Sequence, residues 1–421
     1  MVFFQKFNDN MKQTILTLSL ILMMGLQSVN GQYNPLRGCV TGPNDECLPN
    51  VILSAVPFLR VVPDARSGAL GDSGIAISPD PNSLHFNSSK LAFVDKDMSF
   101  SATYTPWLRN LGLRDVYLAY LTGYKKVDDL QTIGMGFRFF SLGDIVFTDI
   151  NGFETGIGNP REFEFAVSYN RKLGTDFAAG LTAKYIFSNL ASGQQVDGVL
   201  ISSANAFAAD LSLTYRKKGN LTEAGSEWTF GAALSNLGSK VTYSQNQFKD
   251  FIPANLGLGA ALLLNFDEFN SITFNLDIHK LLLPTPVSSQ IKNADGSVEI
   301  NPDYDPNGNG IPDYKEQGIF ASMISSFGDA QGGFSEEIQE INYSLGAEYW
   351  YSKQFAVRAG YYFEHPLKGD RQFLTAGIGL KYSVFAMDLS YLIPTNNRRN
   401  PLDNTLRFTL QFDFEALTGD Y

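Results

Sequence analysis

The sequence predicts an all-β chain, a transmembrane antiparallel β-barrel of about 14 strands with an N-terminal plug segment at the periplasmic side or in the lumen. Three observations carry this prediction. Short runs of alternating apolar and polar residues fill the chain from about residue 98, and a period of two sends successive side chains to opposite faces of a strand. The joints between these runs are by turns tight and long, as in barrels that keep short turns at the periplasm and long loops outside. Aromatic residues reach 13%, with 33 Phe and 19 Tyr, while the mean hydropathy is only −0.09 and no apolar run of 18 residues follows residue 31. A helical membrane protein is thereby excluded; a barrel, whose strands are half apolar, is not.

Residues 1–31 read as a signal peptide. Lys12 precedes an apolar run over 15–26, and Val29 and Gly31 offer small residues for cleavage before Gln32. Met11 is a second candidate start, and either start leaves an export signal. In an exported chain Cys39 and Cys47, the only cysteines, read as a disulfide closing a small loop, with two unpaired thiols as the alternative.

Residues 32–97 are too irregular for strands and too long for a tail. Their prolines, glycines and Asp-rich turns predict a compact plug, and the apolar stretch at 51–62 argues against a disordered lead. Strands are then expected near 98–107, 114–125, 131–141, 161–171, 176–188, 205–217, 226–237, 254–265, 270–281, 341–351, 354–364, 372–382, 384–393 and 404–414. The last shows the pattern best, with Leu406, Phe408, Leu410, Phe412 and Phe414 alternating with Arg407, Thr409, Gln411 and Asp413. Charged residues cannot face lipid cheaply, so Glu162, Glu164, Arg138, Glu348 and Arg358 are expected in the lumen. Aromatics near strand ends are expected to form interfacial girdles.

Tight joints fall at 127–130, 172–175, 266–269, 352–353 and 383; long ones follow Ser141, Ser188, Asn236, Leu283, Pro394 and, more modestly, Trp107 and His365, the one exception being a longer periplasmic turn at 217–226. This alternation predicts that both termini are periplasmic, with 415–421 a short periplasmic tail. The whole barrel spans 98–414, in the outer membrane of a bacterial cell.

The longest loop, 284–340, contains the sharpest local motif. Asp305, Asn307, Asn309, Ile311, Asp313 and Glu316, with Gly310 at the sixth position, match a twelve-residue calcium loop. Oxygen donors at alternate positions of a tight turn converge on one hard cation. Ile311 would contribute its carbonyl and Glu316 a bidentate carboxylate. No flanking amphipathic helices are evident, and two Asn ligands lower the site charge toward the weak affinities of extracellular modules. A turn-rich surface loop without Ca2+ is the competing reading, because the same residues build turns.

Function classes are narrowed by what is missing. With 43 acidic against 32 basic residues the formal charge is −11, which argues against nucleic acid as a partner. His85, His279 and His365 are the only histidines, and no nucleophile elbow, phosphate loop, dinucleotide fingerprint or Cys/His cluster accompanies them, so no enzyme is expected.

Four stretches resemble a known family. They are Ala55-Val-Pro-Phe-Leu-Arg-Val-Val-Pro-Asp-Ala-Arg-Ser-Gly-Ala-Leu-Gly-Asp72, Asn82-Ser-Leu-His-Phe-Asn-Ser-Ser-Lys-Leu-Ala-Phe93, Tyr104-Thr-Pro-Trp-Leu108 and Arg138-Phe-Phe-Ser-Leu-Gly143. Together they resemble the PorV (LptO) family, outer-membrane subunits of the bacterial type IX secretion system, and the likeness is distinctive over about 50–145. The resemblance implies a barrel related to FadL-type long-chain fatty acid transporters and a non-enzymatic role. Such a protein accepts cargo bearing a C-terminal signal domain at the translocon barrel (Sov/SprA) and delivers it to an attachment complex containing the sortase PorU. The family's link to lipid A deacylation is taken as indirect, since no catalytic constellation is present. Cargo contacts are expected on the long irregular loops, 284–340 first, then 189–204 and 238–253. The alternative is a FadL-like transporter of fatty acids or other hydrophobic compounds; a general porin fits poorly with a segment large enough to block the lumen.

Overall fold

The structure, a computed structural model, describes residues 32–414 except 43–45, 110–111, 149–150, 197–198, 245–248, 294 and 397–404. The signal peptide at 1–31 and the tail at 415–421 lie outside the described residues. Two short strands open the chain, β1 (Gln32–Asn34) and β2 (Cys39–Thr41). The wall begins with β3 (Met98–Pro106), β4 (Val116–Lys126) and β5 (Gln131–Leu142). A small hairpin, β6 (Ile145–Thr148) and β7 (Glu154–Gly158), stands outside the wall, which resumes with β8 (Arg161–Lys172) and β9 (Phe177–Asn189). A second hairpin, β10 (Gln195–Val196) and β11 (Val199–Leu200), precedes β12 (Ala204–Gly219), β13 (Ser226–Gly238), β14 (Asn255–Asn265) and β15 (Asn270–Leu281). The long loop carries β16 (Gln290–Lys292) and β17 (Val298–Ile300), after which β18 (Ile341–Tyr351), β19 (Phe355–Phe363), β20 (Gln372–Tyr382), β21 (Phe385–Pro394) and β22 (Leu406–Phe414) complete the wall.

Fourteen strands close the barrel by antiparallel pairing, β22 against β3, and every expected strand is found with its ends within two residues. The alternation sets the faces as expected. Glu162, Glu164, Ser168 and Asn170 are buried in the lumen while Phe165 and Tyr169 face outward, and Arg407, Thr409 and Asp413 are buried opposite exposed Leu406 and Phe414. Outward aromatics meet near the long-loop ends of the strands. Tyr104 lies 5.5 Å from Tyr117, Phe163 lies 4.9 Å from Phe187, and Tyr185 lies 5.3 Å from Phe207 by ring centroids. That band marks one water–lipid boundary.

Residues 56–94 fill the barrel as a plug, and the polar lumen satisfies its backbone. Ala65 N donates to Thr409 Oγ1, Gly71 N to Thr375 Oγ1, Gly74 N and Ile75 N to Asp277 Oδ2, and Ser89 N to Ser212 Oγ. Arg66 spans from plug to wall, joining Asp80 to Glu348; Glu348 also holds Arg358, which reaches Asp388. At one point the plug touches bare backbone: a Cβ on Gly360 would lie 2.1 Å from Gly71 N, so β19 carries glycine where plug and wall meet.

One expectation fails. The chain does not rise from the periplasm into the barrel. Phe93 packs against Ala178, at the tight-turn end of β9, whereas Asn50 N donates to Leu367 O in the 364–371 loop, at the opposite end. Going from residue 50 to 94, the chain therefore descends from the long-loop end to the tight-turn end, and β1 lies outside. The sequence rule sees only the even number of wall strands; it cannot see that the plug is itself a crossing.

Candidate functional site: the extracellular cap

The three loops expected to meet a partner are brought together into one cap, and the start of the described chain joins them. β1 pairs with β2 on one side and, in parallel, with β16 of the 284–340 loop on the other, giving a four-stranded sheet in the order β17-β16-β1-β2. Cys39 and Cys47 are disulfide-bonded, with Cα atoms 5.8 Å apart, and fasten the chain after β1. The Tyr33 hydroxyl donates to the Gln331 carbonyl, and Asn50 Nδ2 donates to both Pro286 O and Glu336 Oε1 at 3.1 Å. On the other flank Lys315 Nζ lies 3.3 Å from Asp250, Lys240 Nζ donates to Lys315 O at 2.7 Å, and Ser202 N donates to Tyr243 O at 2.7 Å. Thus 189–204, 238–253, 284–340 and 32–50 form one continuous surface.

The loop, in whose sequence no amphipathic helices flanking the calcium-like motif are evident, contains three short helices among its described residues, Asp313–Glu316, Ile319–Ser325 and Phe334–Gln339. Their anchor is an acidic cluster that sequence reasoning missed. Glu336, Glu337 and Glu340 are all buried; Lys280 Nζ reaches Glu337 and Glu340 at 2.9 and 2.7 Å, and Lys368 Nζ reaches Glu336 and Glu340 at 2.6 and 3.0 Å. Breaking such a buried set leaves unpaired charge, so the cluster fixes where the cap sits more than it adds net stability. A signal was present in the sequence, since Lys280 falls on the outward phase of β15, where a lysine demands a cover. Beside this cluster burial pushes the Asp329 carboxyl up to about 6, with the charges of Glu337 and Glu340 acting in the same direction. Burial likewise raises Tyr33 and Tyr314 and lowers Lys240.

The calcium-like turn stands at the exposed edge of the cap. Asp305 Oδ2 accepts from Gly310 N at 2.8 Å, Asn307 Oδ1 from Asn309 N at 3.0 Å and Asn309 Oδ1 from Ile311 N at 2.7 Å. Glu316 turns both carboxylate oxygens onto the same turn, taking the amides of Asn307 and Asn309 at 2.8 Å each. Gly308 and Gly310 sit at φ +68 and +82, where side chains rarely go. Asp305, Asn307, Asn309 and Glu316 are thereby gathered. Asp313 instead opens a one-turn helix and donates its N–H to Tyr304 O. No group of three or more His, Cys, Asp or Glu among the described residues is placed to hold a metal, so any cation here would depend on the amide oxygens.

Below the cap the lumen retains a cavity of about 100 Å³, lined by Arg60, Asp72, His85, Lys184, His279 and Arg371 among others. Around it the strand ladder runs unbroken among the described residues, with one irregularity at Ala209/Leu211 in β12.

The family model for the type IX secretion system protein PorV matches residues 44–288, more than half of the chain. Comparison with curated proteins finds no match. Among solved structures, the chain is similar to the Ralstonia pickettii toluene transporter TbuX, at 12% identity over 84% of this chain and 98% of that one, with a TM-score of 0.49. It is similar to the P. putida toluene transporter TodX at 11% identity over 84% and 98%, TM-score 0.47. A Pseudomonas aeruginosa FadL homologue aligns at 10% identity over 87% and 100%, TM-score 0.43.

Proposed function

Since this chain belongs to the PorV family of type IX secretion system proteins, we propose that it is a non-enzymatic outer-membrane component that receives secreted cargo at the cell surface. In this reading the extracellular cap binds the C-terminal signal domain of the cargo beside the translocon barrel (Sov/SprA). The cap then delivers the cargo to the attachment complex containing the sortase PorU. The observation that carries the reading is the joining of three long loops and the N-terminal hairpin into one cap over a plugged barrel. A fixed surface of this kind lowers the ordering cost of capturing a partner. The transporter alternative needs an apolar route; the lumen offers a cavity of about 100 Å³ whose lining mixes Leu59, Val62, Ile75 and Phe86 with Arg60, Asp72, Lys184 and Arg371, and its small size favours the cap reading.

Calcium at the cap is part of the same proposal. Asp305, Asn307, Asn309 and Glu316 would hold Ca2+, with the Ile311 carbonyl and Asp313 completing the set after a local shift. Binding in the roughly 10⁻⁴ to 10⁻³ M range is expected by calorimetry on the intact protein, and Asp305→Ala should abolish it. Silence at millimolar Ca2+ would remove calcium and leave the cap reading standing.

The cap reading is tested by deleting the gene and following proteins that carry type IX signal domains. Cargo retained in the cell or released unattached supports it. Normal cargo attachment with impaired uptake of fatty acids or aromatics overturns it in favour of transport.

A further inference from the structure

The helices Ile319–Ser325 and Phe334–Gln339 share one pattern of faces. In the first, Phe320 and Ile324 are 76% and 78% exposed while Ser322 is buried and Met323 packs on the cluster around Leu281, Leu282 and Leu283. In the second, Phe334 is 80% exposed and Ile338 also exposed, while Glu336 and Glu337 turn inward to Lys368 and Lys280. Spacing of i and i+4 puts each apolar pair on one side of its helix. Every acidic group of the second helix is therefore neutralised against the barrel, and what faces away is apolar.

The place of these helices says what covers that face. Lys280 pairs across the sheet with Ile341 and Leu256, all on the outward phase of the wall, and in line with lipid-facing Ile278 and Leu345. Yet Lys280 is only 7% exposed, because Glu337 and Glu340 cover it and the Phe327 ring centroid lies 5.8 Å from its Nζ. Leu234 and Leu256, outward on β13 and β14, pack on the same cluster as Met323. The helices thus lean over the outer rim of the barrel and not across its mouth. Their exposed side continues the lipid-facing band, and Tyr343 and Phe363, 6.5 Å apart, mark the aromatic boundary just below.

We propose that Phe320, Ile324, Phe327, Phe334 and Ile338 form an amphipathic apron that rests in the outer leaflet of the membrane. Short helices with charge turned away and Phe and Ile turned out are the chemistry of an in-plane interfacial contact. The apron fixes the height of the cap and leaves the calcium-like turn and β17 in water. The occupant is lipid, because the face is continuous with the lipid-facing wall and carries no charge.

The full mature chain, reconstituted in phosphatidylethanolamine–phosphatidylglycerol vesicles, tests this by nitroxide labels at Ile324→Cys and Phe334→Cys, with the native disulfide left oxidised. A label at Leu345→Cys reports the lipid-facing wall and one at Glu299→Cys reports water. The expected result is an oxygen-over-nickel accessibility ratio several-fold above that of Glu299→Cys and approaching that of Leu345→Cys at both apron sites. Ratios matching Glu299→Cys overturn the proposal. Protection that appears only when a partner protein is added overturns it equally and makes the face a protein-docking surface. If one label disturbs the helix, Phe320→Cys gives an independent reading of the same face.

Discussion

Arg66 of the plug grips Glu348 of the wall at two points, with Nε 2.9 Å from Oε2 and Nη2 2.8 Å from Oε1, while Nη1 holds Asp80 of the plug at 2.9 Å. The fork geometry of guanidinium against carboxylate makes this a directional latch. Truncation to Arg66→Met leaves Asp80 without its partner and Glu348 with Arg358 alone, inside a site closed to water. Removing one member of such a buried set costs about 3–5 kcal/mol. A loosened plug is expected, seen as ion conductance in planar bilayers above that of the unaltered protein. Unchanged conductance and unchanged thermal unfolding would remove the latch from the account.

Gly360 gives a steric test of the same plug. A Cβ there would meet Gly71 N at 2.1 Å and Leu70 C at 2.2 Å, and backbone cannot turn aside as a side chain can. Gly360→Ala should displace the turn at 68–72, breaking the Gly71 N to Thr375 Oγ1 bond and straining the Arg407 to Asp72 pair. Overpacking of this kind typically costs about 1–3 kcal/mol. The check is thermal unfolding alongside Gly174→Ala as a comparison. There the added Cβ meets nothing within 4 Å, so the smaller loss belongs to Gly174→Ala.

Asp329 makes the cap sensitive to acidity. Burial lifts its carboxyl from an ordinary 3.8 to about 6, with Glu337 and Glu340 reinforcing the shift and the Thr285 N–H opposing it. A carboxyl whose folded value is raised binds its proton more tightly in the folded state. Its contribution is therefore fully present below about 4 and is lost as pH climbs through about 6. The 284–340 loop should resist limited proteolysis better at pH 5 than at pH 7.5, and Asp329→Asn should remove most of that difference. Identical cleavage rates at the two pH values in the unaltered protein would refute the assignment.

What the sequence made legible follows the range of the physics involved. Wall strands are visible because the lipid and the lumen impose opposite polarity every second residue, so Glu164 beside Phe165 needs no tertiary information. The calcium-like turn is visible because Asp305, Asn307 and Asn309 are gathered by contacts spanning a few residues. Asp313 departs because the helix it opens competes for its backbone. The cap was hidden for the opposite reason. β1 is three residues long and finds β16 across most of the chain, leaving no periodic trace. Lys280 was the overlooked clue, an outward-phase lysine that makes sense only under the cover of Glu337 and Glu340.

The side on which the described chain begins is the sharpest departure from sequence expectation, and it can be read on living cells. Three independent contacts hold 32–50 at the long-loop end: the pairing of Tyr33 with Ile291, the Asn50 bonds to Pro286 and Glu336, and the backbone bond from Asn50 N to Leu367 O. Leu36, 78% exposed in the turn between β1 and β2, offers an insertion point at which only the turn bonds from Leu36, Arg37 and Gly38 N–H to Asn34 are remade, while the β1–β2 pairs from Gln32 to Asn34 lie outside it. An epitope inserted after Leu36 should bind antibody on intact cells and be cleaved by added protease, whereas an epitope in the tight turn between Lys126 and Gln131 should need permeabilised cells. If both epitopes need permeabilisation, the β1–β16 pairing does not form in the membrane. The cap would then lose the strand that ties the plug to the surface loops.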